Sequence, residues 1–321
     1  MGVEVRVLLS LQVATLALWV AVASGKLCGD SVDGHNVPCA CGDTVVSDVV
    51  LADDPVTQSV CPSDGLIVRA ADAAHGVTID LHGHTLRGSG SGTGVWILYG
   101  GPGGARLVSA DAPALVEGFE DGVVAQGSDS VALIEGLRVR HSAHDGVRVR
   151  AENYRIHATD VETSGRDGFS LDGHGFEITA THAFNSGRFG YFVVGENGLI
   201  GVAGAGNRSE GSGHAGFRLS GNGHQLIECA ASAAGDAGVQ LNGMHYTVSG
   251  CVAERNLGDG MTGIGMDWHL SGNRAMDNGN NGLVVRGAGL ADGGGNRGAR
   301  NRGRHEQTPA QCEINGIACT Q

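Results

Sequence analysis

The sequence predicts an all-β chain wound as one solenoid, a right-handed parallel β-helix of about 22 residues per coil, and three observations predict it. The first is a recurring glycine: Gly146, Gly168, Gly190, Gly216, Gly238, Gly260 and Gly282 follow one another at intervals of 22, 22, 26, 22, 22 and 22 residues. The second is the apolar, variable, apolar pattern that follows each of them. The third is composition. With 56 glycines among 321 residues, helical repeats of roughly 30 or more residues per unit are excluded. Six prolines and no three-residue glycine period exclude collagen.

Within a coil the elements follow in order. Val147 and Val149, Phe169 and Leu171, Tyr191 and Val193, Phe217 and Leu219, Val239 and Leu241, and Leu283 and Val285 alternate as a short strand with one buried face. Farther from each glycine stand Tyr154, Phe176, His224, Tyr246 and Trp268. Two residues later come Ile156, Ile178, Leu226, Val248 and Leu270, a second strand. The column Val161, Ala183, Ala231, Ala253 and Ala275 marks a third. Ser142, Ser164, Ser186, Ser212, Ala234, Asn256 and Asn278 then lead into the next glycine with turn chemistry. Three short strands and three turns per period make one coil of a parallel β-helix.

The chain divides into residues 1–23, 24–43, 44–304 and 305–321. Residues 1–23 combine Arg6, an apolar run from Val7 to Val22 and small residues at Ala21 and Ala23, the pattern of a secretory signal peptide. In an oxidising compartment the eight cysteines then read as disulfides. Cys41 with Cys61 and Cys312 with Cys319 close short loops at the solenoid's ends, and Cys28 with Cys39 makes a third pair. Zinc is disfavoured, since no Cys-x2-Cys spacing occurs. Cys229 and Cys251 share a column one coil apart. Parallel in-register side chains point the same way, so the expectation there is two stacked, buried thiols. The longer intervals place irregular loops around Gly100 to Ala112 and Gly195 to Ser212.

The stretch from Cys41 to Val95, with CGDTVVSDVVLADDPVTQSVC and GLIVRAADAAHGVTIDLHGHTLRGSGSGTGV, resembles the opening of secreted bacterial right-handed β-helix proteins of the pectin-lyase-like superfamily, near the NosD-type (PbH1) repeat group. The tail from Asp292 to Cys319, with GGGNRGARNRG and its closing cysteines, is similar to the end of the same proteins. The resemblance covers nearly the whole chain after the leader. It implies the fold and, for members that act on polysaccharides, a site on the outward face of the first strand.

Outward residues on that face come from alternate positions: Arg148, Ser170, Phe192, Arg218 and Gln240 in one row, and Arg150, Asp172 and Asn242 in the next. Cations, amides and an aromatic suit a sugar chain, with arginine pairing a uronate carboxylate and Phe192 stacking on a pyranose. The opposed reading is a solvated face with Phe192 beneath the 195–212 loop. Asp145 and Asp167 occupy one column, so their Cα atoms should lie about 5 Å apart. Such a pair serves glycosidases, although Asp before Gly is also turn chemistry and Asp259 repeats it. His144 beside Asp145 is a candidate general acid or base. Superfamily lyases commonly abstract a proton with arginine or lysine, and Lys26 is the chain's only lysine, which leaves Arg148 and Arg218. Asp172 to Phe176, DGHGF, resembles an element of polygalacturonases, but the only Asp-Asp pair, Asp53 and Asp54, lies near the start. Asp267-Trp268-His269 resembles the Asp-Pro-His element of alginate epimerases without its proline, and on the second strand.

A formal charge of −13 opposes nucleic-acid binding. Five arginines, 286, 297, 300, 302 and 304, gather in the last coil and tail, where a solvated end cap accounts for them. No metal, no cofactor and, after leader cleavage, no membrane partner is implied. Two functions stand side by side: an exported polysaccharide lyase, C5-epimerase or hydrolase, and a non-catalytic structural or glycan-binding rod.

Overall fold

The computed structural model describes residues 25–69, 76–99, 103–127, 132–303 and 310–319. The expected leader, residues 1–23, lies outside them, as do Arg304 and the start of the tail. Among the described residues the chain winds into a β-solenoid of three sheets: a first of 15 strands and a second and third of 11 each. The coils stack in parallel and without a slip. Val147 faces Phe169, which faces Tyr191, then Phe217, Val239, Met261 and Leu283. Residues one period apart are therefore neighbours, and each sequence column becomes a physical row.

Alternation sends every second side chain of a first-sheet strand into the interior, where Val147, Val149, Phe169, Tyr191 and Phe217 are fully buried. Phe169, Tyr191 and Phe217 stack with centroids 4.8 and 4.5 Å apart and planes within 6° and 2°. A second ladder runs up the corner between the first and second sheets. Tyr154 stacks on Phe176 at 4.9 Å and Tyr246 on Trp268 at 5.3 Å, while His224 lies tilted between Phe176 and Tyr246. The coil between Phe176 and His224 contributes only Gly198, and a Cβ there would stand 2.2 Å from the Phe176 ring. The two rings lean into the space that this glycine leaves.

Each regular coil turns at three corners, and at each corner one residue takes a left-handed backbone. In one coil these are Asn153 (φ 52°), Ala158 (φ 45°) and Thr163 (φ 60°), and in a later one His245 (φ 57°), Gly250 (φ 66°) and Arg255 (φ 55°). The next residue then points inward, leaning back along the axis. At the second corner the Oδ1 atoms of Asn207, Asn273 and Asn296 accept the backbone N–H of Thr181, Cys251 and Asn273, each in the preceding coil, at 3.0 Å. At the third corner Asn278 serves Asn256 at 3.1 Å and Asn301 serves Asn278 at 3.0 Å. These amide ladders satisfy buried backbone groups that neither sheet reaches.

Cys229 and Cys251 belong to the second-corner ladder, and this corrects the expectation of two separate thiols. The like direction of in-register side chains holds along strands, but at the corner the Cys251 side chain leans back one coil. Its sulfur meets Cys229, with the Cα atoms 4.4 Å apart, and the two are joined. Cys28–Cys39, Cys41–Cys61 and Cys312–Cys319 are paired as expected, with Cα separations of 5.1, 5.4 and 5.5 Å, so no cysteine is free. Both ends of the first sheet are closed by hairpins. Leu27–Val32 turns back through His35–Val37, and Cys312–Ile314 through Ile317–Ala318, both antiparallel.

A second correction concerns the 26-residue interval. Its extra residues lie between Leu199–Ile200 of the second sheet and Arg208–Glu210 of the third, away from the first sheet. Phe192 pairs with Arg218 in unbroken register, so the outward row does not bulge and no 195–212 loop covers Phe192. Around residues 100–112 the described part holds one second-sheet strand, Ala105–Val108, with turn and bend residues on either side of it. Pro55–Gln58, unforeseen, forms a short helix in the first coil. No helix among the described residues is long and apolar enough to cross a membrane.

Gly198→Ala should lower stability by about 1–3 kcal/mol, the cost of overpacking a filled core, read as a lower urea midpoint with an unchanged slope. His224 gives a pH dependence. Its Nδ1 accepts the Gly198 N–H at 3.0 Å, and burial holds the imidazole below the ordinary histidine value of 6.5, against the raising effect of nearby Ser220 and Gly195 carbonyls and Glu196. The unfolded chain therefore takes up protons first as pH falls, and stability present above pH 6.5 should be lost below it. The half-buried His182, also held low by desolvation, adds in the same direction. His224→Phe should flatten part of this slope, and an unchanged slope would place the proton uptake elsewhere.

Candidate functional site

The outward face of the first sheet is built from alternate strand positions. Strands Val147–Glu152, Phe169–His174, Tyr191–Glu196, Phe217–Asn222, Val239–Met244 and Met261–Met266 set Arg148, Ser170, Phe192, Arg218, Gln240 and Thr262 in one row. Arg150, Asp172, Val194, Ser220, Asn242 and Ile264 form the next. All the expected sugar-facing residues thus lie on one face, with Arg150, Asp172, Arg218 and Asn242 exposed and Ser170, Phe192 and Gln240 half-buried. A groove of about 410 Å³ crosses this face, lined by Arg218, Ser220, Gln240, Asn242, Thr262 and Ile264 together with backbone between them.

Beside the face, the corner leading into the first sheet carries a stack of aspartates. Asp121, Asp145 and Asp167 are almost wholly buried, and each carboxylate accepts a backbone N–H from the next coil: Asp145 on Asp121 at 3.1 Å, Asp167 on Asp145 at 3.2 Å, Phe189 on Asp167 at 3.2 Å. Asp259 accepts Asn281 in the same way at 2.9 Å. Arginines meet these carboxylates on the outer side. Arg148 donates to Asp121 at 2.5 Å, and Arg188 grips Asp167 with two hydrogen bonds of 2.8 and 2.5 Å. Arg166 stands 3.8 Å from Asp145. Burial pushes the Asp145 carboxyl above the ordinary carboxylate range, the Asp167 N–H and Arg166 oppose it, and the neighbouring carboxylates add to the rise.

The proposed acid–base pair therefore stacks as expected, buried inside a corner, with Asp167 held by Arg188 and the Phe189 N–H and Asp145 by the Asp167 N–H. His144 lies on the ridge outside it, half-exposed, with Nδ1 3.1 Å from Glu120. Arg148, expected to point freely outward, is anchored on Asp121. Of the cationic candidates, Arg218 reaches the open face. Asp172 is exposed there while His174 stands at the strand's end and Phe176 is core, and Trp268 is buried in the aromatic ladder.

Next to the aspartate stack the column changes to Phe189. Its ring stacks on Phe192 at 5.6 Å, with the Arg188 guanidinium over both rings at 5.0 and 5.4 Å and that of Arg218 over Phe189 at 5.2 Å. His214 borders the same ring at 5.8 Å. Arg166, Arg188, Phe189 and His214 were missed because the two columns just before each glycine were read only for Asp145, Asp167, Asp259 and His144. Those columns read Asp, Asp, Phe and His, Arg, Arg, His in successive coils, the signal that would have found them. Among the described residues no group of three or more His, Cys, Asp or Glu comes together to hold a metal.

No protein-family model and no curated protein matches the chain. Among solved structures, the A-module of mannuronan C-5 epimerase AlgE6 from Azotobacter vinelandii is 14% identical over 87% of this chain and 91% of its own, with a TM-score of 0.48. The catalytic unit of a GH87 alpha-1,3-glucanase from Streptomyces thermodiastaticus is 12% identical over 85% of this chain and 66% of its own, at 0.47. The Dettilon tailspike protein is 15% identical over 85% and 62%, at 0.40. Identity at this level assigns no residue here a role.

Asp167→Asn removes the charge that two Arg188 hydrogen bonds meet, and should cost about 1.5–3 kcal/mol in urea unfolding, the range for hydrogen bonds to charged groups. Asp145→Asn, with no arginine in hydrogen-bond reach, should cost less. Equal losses in the two would argue that the backbone N–H contact, not the arginine, is what matters.

Proposed function

We propose that this chain is an exported glycan-binding β-helix whose ligand, an anionic polysaccharide, lies along the outward face of the first sheet from Ser170 to Thr262. The observation that carries this reading is the sequence of groups met along one row: the Phe189–Phe192 shelf flanked by Arg188 and Arg218, followed directly by the groove with Gln240, Ser220 and Asn242. Coils spaced about 4.8 Å apart present one such group per sugar residue of similar length. Half-buried Phe192, backed by the buried Phe189, supplies a stacking surface, Arg218 a charge-assisted donor for a carboxylate, and the amides and hydroxyls adaptable hydrogen bonds. Four disulfides fit an oxidising compartment outside the cytoplasm.

In this reading Asp145 and Asp167 are positioning residues. They hold the corner and aim Arg166 and Arg188 along the ridge, while Arg148 and His144 extend the same ridge. Arg150 and Asp172 lie beyond the shelf, where a longer chain would reach. The reading is one of binding; for a lyase, epimerase or hydrolase the exposed Arg218 and Asp172 would be the proton-transfer groups on this face.

Arg218→Ala should weaken binding of polygalacturonate or alginate oligosaccharides by about 1.5–3 kcal/mol with little change in Tm, since the side chain is exposed. Arg148→Ala, by contrast, should also cost stability through the loss of its contact with Asp121. Calorimetric titration with product analysis checks both points. Unaltered affinity in the Arg218 variant would remove this face as the site, and chain cleavage or epimerised product would turn the reading toward an enzyme.

A further inference from the structure

The outward face changes character near its C-terminal end. Six residues past each glycine the row runs Glu152, His174, Glu196 and Asn222, then Met244, Met266 and Ala288, with register kept throughout. In the neighbouring row Ser220 and Asn242 give way to Ile264. Ile264 is 70% exposed, Met266 44% and Met244 38%, unusually open for such side chains. Their base is stiff. Gly243 and Gly265 lie between them in register, and the Trp268 indole packs under Gly263 and Gly265 while donating to the Gly243 carbonyl at 3.0 Å.

We propose that this patch is the specificity element of the glycan site, and that it accepts short acyl substituents, O-acetyl being the smallest, on the anionic sugar chain held in the groove. The proposal rests on the glycan-binding reading above. The groove itself carries the argument: Ile264 lines it together with Arg218, Ser220, Gln240, Asn242 and Thr262. A sugar seated on the polar side thus presents any apolar substituent to the isoleucine and, one strand step beyond, to the two methionines. Methionine's unbranched, polarisable side chain adapts to small groups of varied shape. Three side chains fall well short of the roughly 1,000 Å² that a specific protein interface buries, which favours a substituent over a partner protein.

The test compares polygalacturonate oligosaccharides with the same oligosaccharides after partial O-acetylation, titrated against the full chain and against Ile264→Ser, Met266→Gln and Arg218→Ala variants. The wild type should bind the acetylated form about tenfold more tightly, the effect of burying one or two methyl groups. Met266→Gln, outside the groove lining, should bring that ratio close to one while leaving affinity for the unsubstituted form and Tm unchanged, and Ile264→Ser should bring the ratio down in the same way. Arg218→Ala should weaken both forms alike and keep the ratio. Equal wild-type affinity for the two forms would overturn the acyl specificity and leave the anionic-glycan reading standing. Binding of neither form would overturn both. Self-association of the wild type that Ile264→Ser abolishes would assign the patch to contact between copies instead.

Discussion

The constraint on which the rest depends is the left-handed residue at each corner. A strand of three to six residues can stack on its copy one coil away only if the chain turns sharply at the same three places every time. A left-handed residue does this in one step. Side chains other than glycine adopt that backbone at a cost, and asparagine, aspartate and histidine bear it best. Asn153, Asn197, His245 and Asp267 follow that preference, whereas Ala158, Thr163 and Ala180 show stacking overriding it. The residue after each turn is delivered inward, and the aromatic, asparagine and cystine ladders all follow from that delivery.

Much of this was legible in the sequence because a period of 22 with one fixed glycine leaves little freedom. The inward and outward sets of the first strand, the column of Tyr154, Phe176, His224, Tyr246 and Trp268, and the end disulfides needed only alternation and counting. What could not be read was direction along the axis. Nothing in the text of the chain says that a corner side chain leans back by one coil, so Cys251 was expected to run beside Cys229 instead of meeting it. The same ignorance hid the grip of Arg148 on Asp121, two residues that lie 27 apart and in no common column. The position of the four inserted residues was ambiguous for another reason, since Gly195 to Ser212 is rich in glycine and small residues and any corner could have absorbed them.

The candidate site was legible as a face but not as a set of roles. Arg218, Gln240 and Asn242 stand in the groove where alternation put them. Asp145 and Asp167 stack one coil apart, buried in the corner, where their hydrogen bonds go to backbone N–H groups and, for Asp167, to Arg188. Spacing identifies which groups can meet, and burial decides what they do when they have met. Arg148, Arg166 and Arg188 are each matched by a buried aspartate of the same corner, which leaves Arg218 as the one of the four arginines along this edge without such a partner.

The bridge between Cys229 and Cys251 has a mechanical meaning. A solenoid is held coil to coil, so a local opening can spread along it by parting one neighbour from the next. This bond ties the coil carrying Arg218 to the coil carrying Gln240, the two whose spacing sets the distance between the groove's first contacts. Parting cannot pass through that joint without breaking a covalent bond. The rod is thus divided into two segments that can fray independently from their ends, while the pitch beneath the groove stays constant.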